Sequence, residues 1–548
     1  MRLEFMRIFL AALVVGITSF ASSAFALSSA NIPLDSPIYP YLEKLSGYGL
    51  VSGDVKGIRP FSKAEAARLM REAEERIASG DHPRLAVEIV QRLKELLPRE
   101  AALYGDEGKA STIDYQPLAS ARLRYVHLDG KPRSYFRAVH DAGNDGVFGI
   151  GSGLRPATRY PHPIQQRGSE GTPLFENNDG VVYRSGSNLD LRGSGEAYWG
   201  AKGTLLLEPM LLWSEESDEA TLRLNRGYLK LGGKGLELEA GRDENWLGPG
   251  YRGAITLTNN ARNMDLVKLS SPELVSSKYL WDLKYTLIFS QLDKTVTDGR
   301  EREPYFLAAK LAMKPTQNVE FGINLGRQVG GPGVRNGLGD NVRGLIGGWN
   351  QDNSNSVAGA DLRFRLPWLR NSELYGEFSG EDAAAFWPIV ESYVAGFFIP
   401  ALTESGRDDL RFEYFRGNEI LYANGTFPEG YLYHGLPIGH SQGGAAQEWF
   451  LRYSHWFSVR NNLALEGMHG TRGDHGQVTV DATGAFDPAG VMQAVERRNA
   501  LRAFWSFPVQ GEWSALVMYG HEWIDNLELR QGESRKNQLL RAELSYKY

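Results

Sequence analysis

The last eleven residues, 538–548, constrain this chain more than any other stretch. Read alternately, Leu540, Ala542, Leu544, Tyr546 and Tyr548 make one face, and Arg541, Glu543, Ser545 and Lys547 make the other. A period of two is that of a β-strand. One face is apolar and ends in aromatics; the other is charged. A strand of a soluble sandwich can alternate in this way too. In a transmembrane barrel, the last strand closes the sheet. Its apolar face meets lipid, its polar face meets the lumen, and aromatics sit at the membrane interface. A terminal strand of this kind predicts a barrel.

The other end of the chain agrees. Arg2 and Arg7 form a basic segment, residues 8–21 are apolar, and Ala24-Phe25-Ala26 is a small-residue box. Together they predict a secretory signal peptide cut after Ala26, with an N-terminal membrane anchor as the alternative. No cysteine follows the box, so a lipoprotein is not expected. The chain has no cysteine at all, although exported chains often use disulfides. No later stretch reaches eighteen uninterrupted apolar residues, so no transmembrane helix is predicted. The formal net charge of −6 argues against a nucleic-acid partner, which would require a basic face.

Residues 31–103 read as helical. A short helix is expected over 37–48. Ser62 is a good N-cap, and Glu65, three residues on, completes a capping box for a helix running to about Ala78. Pro83 starts a third helix and Pro98 stops it. Three short helices make too small a core to stand alone, so they are expected to pack against the barrel. From about Ile113 the pattern changes to alternating strands joined by connections of unequal length. Residues 314–318 and 460–462 look like tight periplasmic turns. Residues 141–180, 328–356, 418–444 and 471–495 look like long surface loops. Short turns at one end and long loops at the other match an outer-membrane barrel, and about 24 residues per strand with its connection gives about eighteen strands. The expected architecture is an all-β transmembrane barrel of about eighteen antiparallel strands with a small N-terminal helical bundle. Its divisions are a signal peptide over 1–26, a periplasmic bundle over 27–110 and the barrel over 111–548. A soluble propeller or sandwich is the rival, without a blade-length repeat to support it.

The most distinctive motif runs from Gly241 to Gly250. Gly248-Pro249-Gly250 forces a tight, non-helical turn, and Arg242, Asp243, Glu244 and Trp246 precede it. As structure, this is a hairpin or an inward loop. As function, it is a constriction where Trp246 stacks on a sugar ring while Arg242, Asp243 and Glu244 bond its hydroxyls. Here the chain resembles the capsule assembly Wzi family. The residues that carry the resemblance are Gly241-Arg242, Trp246 and Gly248-Pro249-Gly250, then Leu257-Thr258-Asn259-Asn260-Ala261. Tyr41 to Leu45, Arg59 to Ala66 and Ile438 to Gly443 add to it. The resemblance implies a monomeric outer-membrane barrel whose bundle plugs the periplasmic end. It also implies a lectin-like role, attaching capsular polysaccharide to the surface.

Other motifs are weaker. Gly439-His440-Ser441-Gln442-Gly443 fits a hydrolase nucleophile elbow, but that motif needs a strand before it and a helix after it, and the segment after it alternates as a strand. His434 and His440 share a loop without a cysteine partner or helical spacing, so no metal is expected. Residues 141–146 look faintly like a calcium loop, but Ser152 stands where the bidentate Glu belongs. Asp408-Asp409 and Glu381-Asp382 could suggest glycosidase chemistry, yet adjacent acids usually mark a solvated loop. Among Trp199, Trp349, Trp387, Trp449, Trp456, Trp505 and Trp513, those near strand ends suit an interfacial girdle. Trp349, in a polar loop, is the better candidate for sugar stacking. The expected protein is a non-enzymatic outer-membrane barrel that needs no cofactor, with outer-membrane lipid and capsular or extracellular polysaccharide as partners. A passive porin and a hydrolase using Ser441 are the alternatives.

Overall fold

A computed structural model describes residues 27–80, 82–105, 113–140, 164–233, 235–277, 281–297, 299–334, 354–381, 390–425, 427–475, 477–479 and 494–547. The signal-peptide segment lies outside the described residues, as do Trp349, Trp387, Asp382 and the 141–153 motifs.

The first and last long strands meet. Ile113–Asp129 pairs antiparallel with Ser534–Tyr546, with Arg124 opposite Glu543. This pairing closes an antiparallel barrel of eighteen strands among the described residues. A closed sheet leaves every strand with two neighbours, which is what a bilayer without water demands of backbone polar groups. No described helix is long and apolar enough to cross a membrane.

The two faces sort by parity. On Trp513–Asp525, residues Trp513, Val517, Tyr519 and Trp523 point outward and are exposed, while Met518, Gly520 and Glu522 line the interior. One aromatic group, Trp505, Phe507, Trp513 and Tyr546, lies near the end with short turns, Trp513 standing opposite Tyr546. A row crosses the opposite end in register: Tyr414, Trp449, His469, Asn499, Trp523 and Lys536. Trp513 to Trp523 spans ten residues at about 3.3 Å each, and a strand tilt of roughly 40° reduces this to about 25 Å. That is the height of a membrane-embedded apolar band.

The helices sit at the short-turn end: α1 Ile38–Gly47, α2 Lys63–Ile77, α3 Arg84–Leu96 and α4 Pro98–Gly105. Their apolar faces bury one another, with Tyr41, Leu45, Leu69, Ala73, Leu85, Ile89 and Leu93 in one cluster. Three expectations change. Pro98 does not simply end a helix; it opens α4, because a proline suits a first helical turn that needs no N–H donor. Ser62 does cap α2, accepting from the Glu65 N–H at 3.1 Å. The Glu65 carboxylate, however, takes the Lys284 ammonium of the barrel wall at 2.5 Å, since a buried lysine needs an anion more than the cap does. Trp456 is likewise not a girdle residue. It is buried against Tyr41, and its Nε1–H donates to Asp409 at 2.9 Å.

Polar links tie the bundle to the turns. The Lys44 ammonium donates to the carbonyls of Pro400 (2.7 Å) and Gly406 (3.0 Å). Asn371 donates to the Gly47 carbonyl, Arg99 to that of Gly200, and Arg92 pairs with Glu512.

Candidate functional site

Three connections from the long-loop end fold into the lumen: residues 166–185, 244–263 and 418–445. The second crosses it. Gly248 adopts φ 153°, and a Cβ there would lie 2.8 Å from a Glu377 carboxylate oxygen, so glycine is required for the approach. The Arg59 guanidinium donates to the Gly250 carbonyl at 2.7 Å and lies 4.5 Å over the Trp246 ring. Beyond the turn, the backbone N–H groups of Tyr251 and Arg252 donate to Glu413 at 2.7 and 2.9 Å. The Ile255 N–H donates to Glu377 at 3.0 Å. The loop leaves one wall between Leu236–Asp243 and Met264–Ser270 and is bonded to another at Ser372–Glu381 and Asp408–Gly417.

The other two connections lock onto it. Arg252 donates to Glu176 at 2.8 Å; Arg498 and Arg502 of the wall reach the same carboxylate at 3.1 and 2.9 Å. Burial works to raise the Glu176 carboxyl, but Arg252, Arg502 and Arg498 outweigh it and hold the group well below the usual carboxylate range. From the third connection, Tyr422 donates to the Ile255 carbonyl at 2.5 Å and Tyr431 to that of Thr256 at 3.0 Å. His440 stacks on Phe415 with centroids 3.6 Å apart. Burial, with the nearby Arg252 charge, holds its imidazole well below its usual pKa and so neutral.

Of the residues singled out from sequence over 241–250, Asp243, Glu244 and Trp246 face the interior and Arg242 faces outward. Asp243 points inward and accepts from the Asn31 amide at 2.7 Å, with Lys268 3.5 Å away. Glu244 is buried, accepts from the Leu34 N–H at 2.6 Å, and is pushed up by burial and Asp179. Trp246 is buried beneath Arg59, and its Nε1 has no hydrogen-bond partner among the described residues. Arg242 turns to the outer wall, where it forms a two-point ion pair with Asp265, both contacts 2.8 Å. Gly248, Pro249 and Gly250 form the turn across the lumen.

Ser441 is fully buried, its hydroxyl has no described partner, and the segment that follows is the barrel strand Ala446–Ser458. The strand–turn–helix setting of a nucleophile elbow is absent there. Ser441→Ala should shift stability by no more than about 1 kcal/mol, read by thermal unfolding; loss of a hydrolytic activity in that variant would restore the elbow. The described members of the acidic pairs hold structure. Asp408 accepts from Tyr453 and Thr403, Asp409 pairs with Lys44, and Glu381 accepts from the Tyr422 N–H. No metal-binding cluster occurs among the described residues.

What remains open is the outer mouth. A small sheet of Arg137–His140, Ile164–Gln166 and Gln477–Thr479 lies there, built from two connections. At its edge the Phe136 ring is 41% exposed, with the Arg167 guanidinium 5.3 Å over it. Glu429 from a further loop pairs with Arg167 at 3.0 Å. Nearby loops place His434 3.8 Å from Asp293. Sequence reasoning missed this group. Its members lie in three separate loops, and a lone loop aromatic has no periodicity to mark it.

A family model for the capsule assembly protein Wzi matches residues 155–539. A Klebsiella pneumoniae protein described as an uncharacterized 55.8 kDa protein in the cps region is 25% identical over 170 residues, covering 29% of this chain and 33% of that protein. The chain thus matches about a third of that relative's length. The solved structure of Escherichia coli Wzi, described as an outer-membrane carbohydrate-binding β-barrel involved in group 1 capsule assembly, superposes with TM-score 0.65 at 17% identity, over 95% of this chain and 99% of that one. Pseudomonas aeruginosa OprD gives TM-score 0.41 at 10% identity, over 79% and 94%.

Proposed function

Because this chain belongs to the capsule assembly Wzi family, we propose that it is a non-enzymatic outer-membrane barrel that holds capsular or a related extracellular polysaccharide at the cell surface. One observation carries the reading. The lumen is crossed by bonded loops, while an aromatic ring, a guanidinium and a carboxylate converge at the outer mouth in Phe136, Arg167 and Glu429. Apolar sugar faces stack on aromatics, and hydroxyls or acidic groups bond to Arg and Glu. Each contact is weak, and repetition along a polymer raises the effective concentration so that many weak contacts hold it. The porin reading finds no support in a lumen so occupied. Trp349 belongs to the same proposal as a stacking residue, and the protein acts as a monomer embedded in lipid.

Deleting the gene in its native host is expected to leave polymer made but released into the medium. Unchanged cell-bound polymer would sink the reading. On the purified protein, Phe136→Ala and Arg167→Ala should each weaken binding of an oligosaccharide fragment about two- to fivefold, from an exposed contact of roughly 0.5–1 kcal/mol. The loss should be larger for long polymer. Fragment and polymer binding both unchanged would remove this surface.

A further inference from the structure

We propose that the outer wall carries a docking site for a phosphate-bearing glycolipid of the outer leaflet, held by Arg416 and Arg497. The inference rests on the outer-membrane placement above, but not on any role in capsule assembly.

Two arginines of the long-loop rim, Arg416 and Arg497, differ from those of the short-turn rim and from Arg242, which is held by Asp265 and the Leu224 carbonyl. At the short-turn rim, arginines are tied to backbone carbonyls. Arg370 donates to Leu402 (2.8 Å), Arg407 to Phe457 (2.9 Å), and Arg460 to Gly511 and Trp513 (both 2.6 Å). At the opposite rim, the row one step beyond the aromatic boundary reads Tyr393, Arg416, Gln447, Thr471, Arg497 and Asp525 in register. Arg416 and Arg497 are exposed there and form no ion pair or side-chain hydrogen bond with the described residues. Two carboxylates beside the row are engaged, and Asp525 is the carboxylate in the row itself. Glu391 accepts from Tyr393 at 3.0 Å, and Asp474 accepts from Thr471 (2.8 Å) and Gln447 (2.5 Å). Asp525 stands opposite Arg497. Lys536 adds a third exposed cation, beside Trp523 in the boundary row.

A guanidinium just above an apolar band is at headgroup depth, where a phosphate can take two parallel N–H bonds. Below it, Trp449, Leu451, Leu501 and Tyr519 are exposed and offer acyl chains a continuous apolar wall. Arg416 and Arg497 are three strand steps apart, roughly 14 Å. That spacing suits two phosphates on one disaccharide headgroup better than a single phosphodiester. The chemistry recognised is therefore a phosphorylated, acylated sugar, not free phosphate.

The test uses the full-length protein in detergent, titrated with a bis-phosphorylated acylated disaccharide, its dephosphorylated form and inorganic phosphate, without polymer. The bis-phosphorylated lipid should bind most tightly. Loss of about 1 kcal/mol per arginine predicts about fivefold weaker binding for Arg416→Ala and about 25-fold for Arg416→Ala/Arg497→Ala. Arg370→Ala/Arg407→Ala should bind as the unaltered protein does. An Arg416→Lys/Arg497→Lys variant, which keeps both charges, should recover part of the loss and guards against a folding defect. Equal binding by the double alanine variant, or equal binding of the dephosphorylated lipid, would overturn the proposal. So would full competition by inorganic phosphate at matched concentration. Because no polymer is present, these failures are distinct from failure of the capsule reading.

Discussion

Glu176→Ala is expected to loosen the 166–185 and 244–263 connections that fold into the lumen. The carboxylate is shared by Arg252 of one connection and by Arg498 and Arg502 of the wall. Removing it leaves three buried guanidiniums facing one another with only Glu448, Glu522 and Glu466 to offset them. Breaking a buried ion pair by deleting one partner typically costs about 3–5 kcal/mol, because the other charge stays buried. The measurement is thermal unfolding in detergent, with protease sensitivity of residues 244–263 as the local readout. The pH dependence follows from the direction of the shift. The folded carboxyl lies well below its usual value of 4.5, so its contribution is fully present above about pH 5 and fades as pH falls through the folded value. The unaltered protein should keep these loops seated at pH 5. In Glu176→Gln, the stability difference from the unaltered protein should shrink as the pH falls below 4. A difference that stayed constant from pH 7 to pH 3 would remove Glu176 from this role.

Asp54→Ala is expected to release the helical bundle from the opposite end. Asp54 accepts from both terminal nitrogens of Arg363, at 3.0 and 3.1 Å, from Arg365 at 2.9 Å, and has Lys314 3.3 Å away. Burial works against its ionisation, yet Arg363, Lys314 and Arg365 hold the carboxyl well below the usual range. The same argument gives about 3–5 kcal/mol. The cost here falls on docking more than on the bundle's own core, which is apolar and mostly internal. Limited proteolysis should cut between the bundle and the barrel in the variant while the barrel stays folded; a bundle as protected as in the unaltered protein would count against it. The two variants also decide the porin question. With seals at both ends, neither single variant should conduct fully in planar bilayers, and the double variant should. Conductance in the unaltered protein at the level of the double variant would return the porin reading.

Much of this architecture is legible locally. Period-two alternation places Leu540 and Leu544 outward and Arg541 and Glu543 inward without reference to any other strand. The eighteen-strand estimate follows from spacing, and the Ser62 cap from three adjacent residues. The candidate site was not legible in this way. Residues 241–250 are visibly unusual, but their neighbours in sequence do not reveal that Arg242 faces out to Asp265 while Asp243 meets Asn31 in the interior. Nor does a polar loop reveal whether its charges meet water or a charged wall. Glu176 and Arg498 lie 322 residues apart, and only closure of the barrel brings them within 3.1 Å. Sequence by itself determined the barrel, its faces and its helical N-terminus, because those depend on periodicity and local propensity. Tertiary structure alone decided which loops fill the lumen and which side chains stay open at its mouth. Each buried charge had to find a compensating partner, and those partners come from elsewhere in the chain.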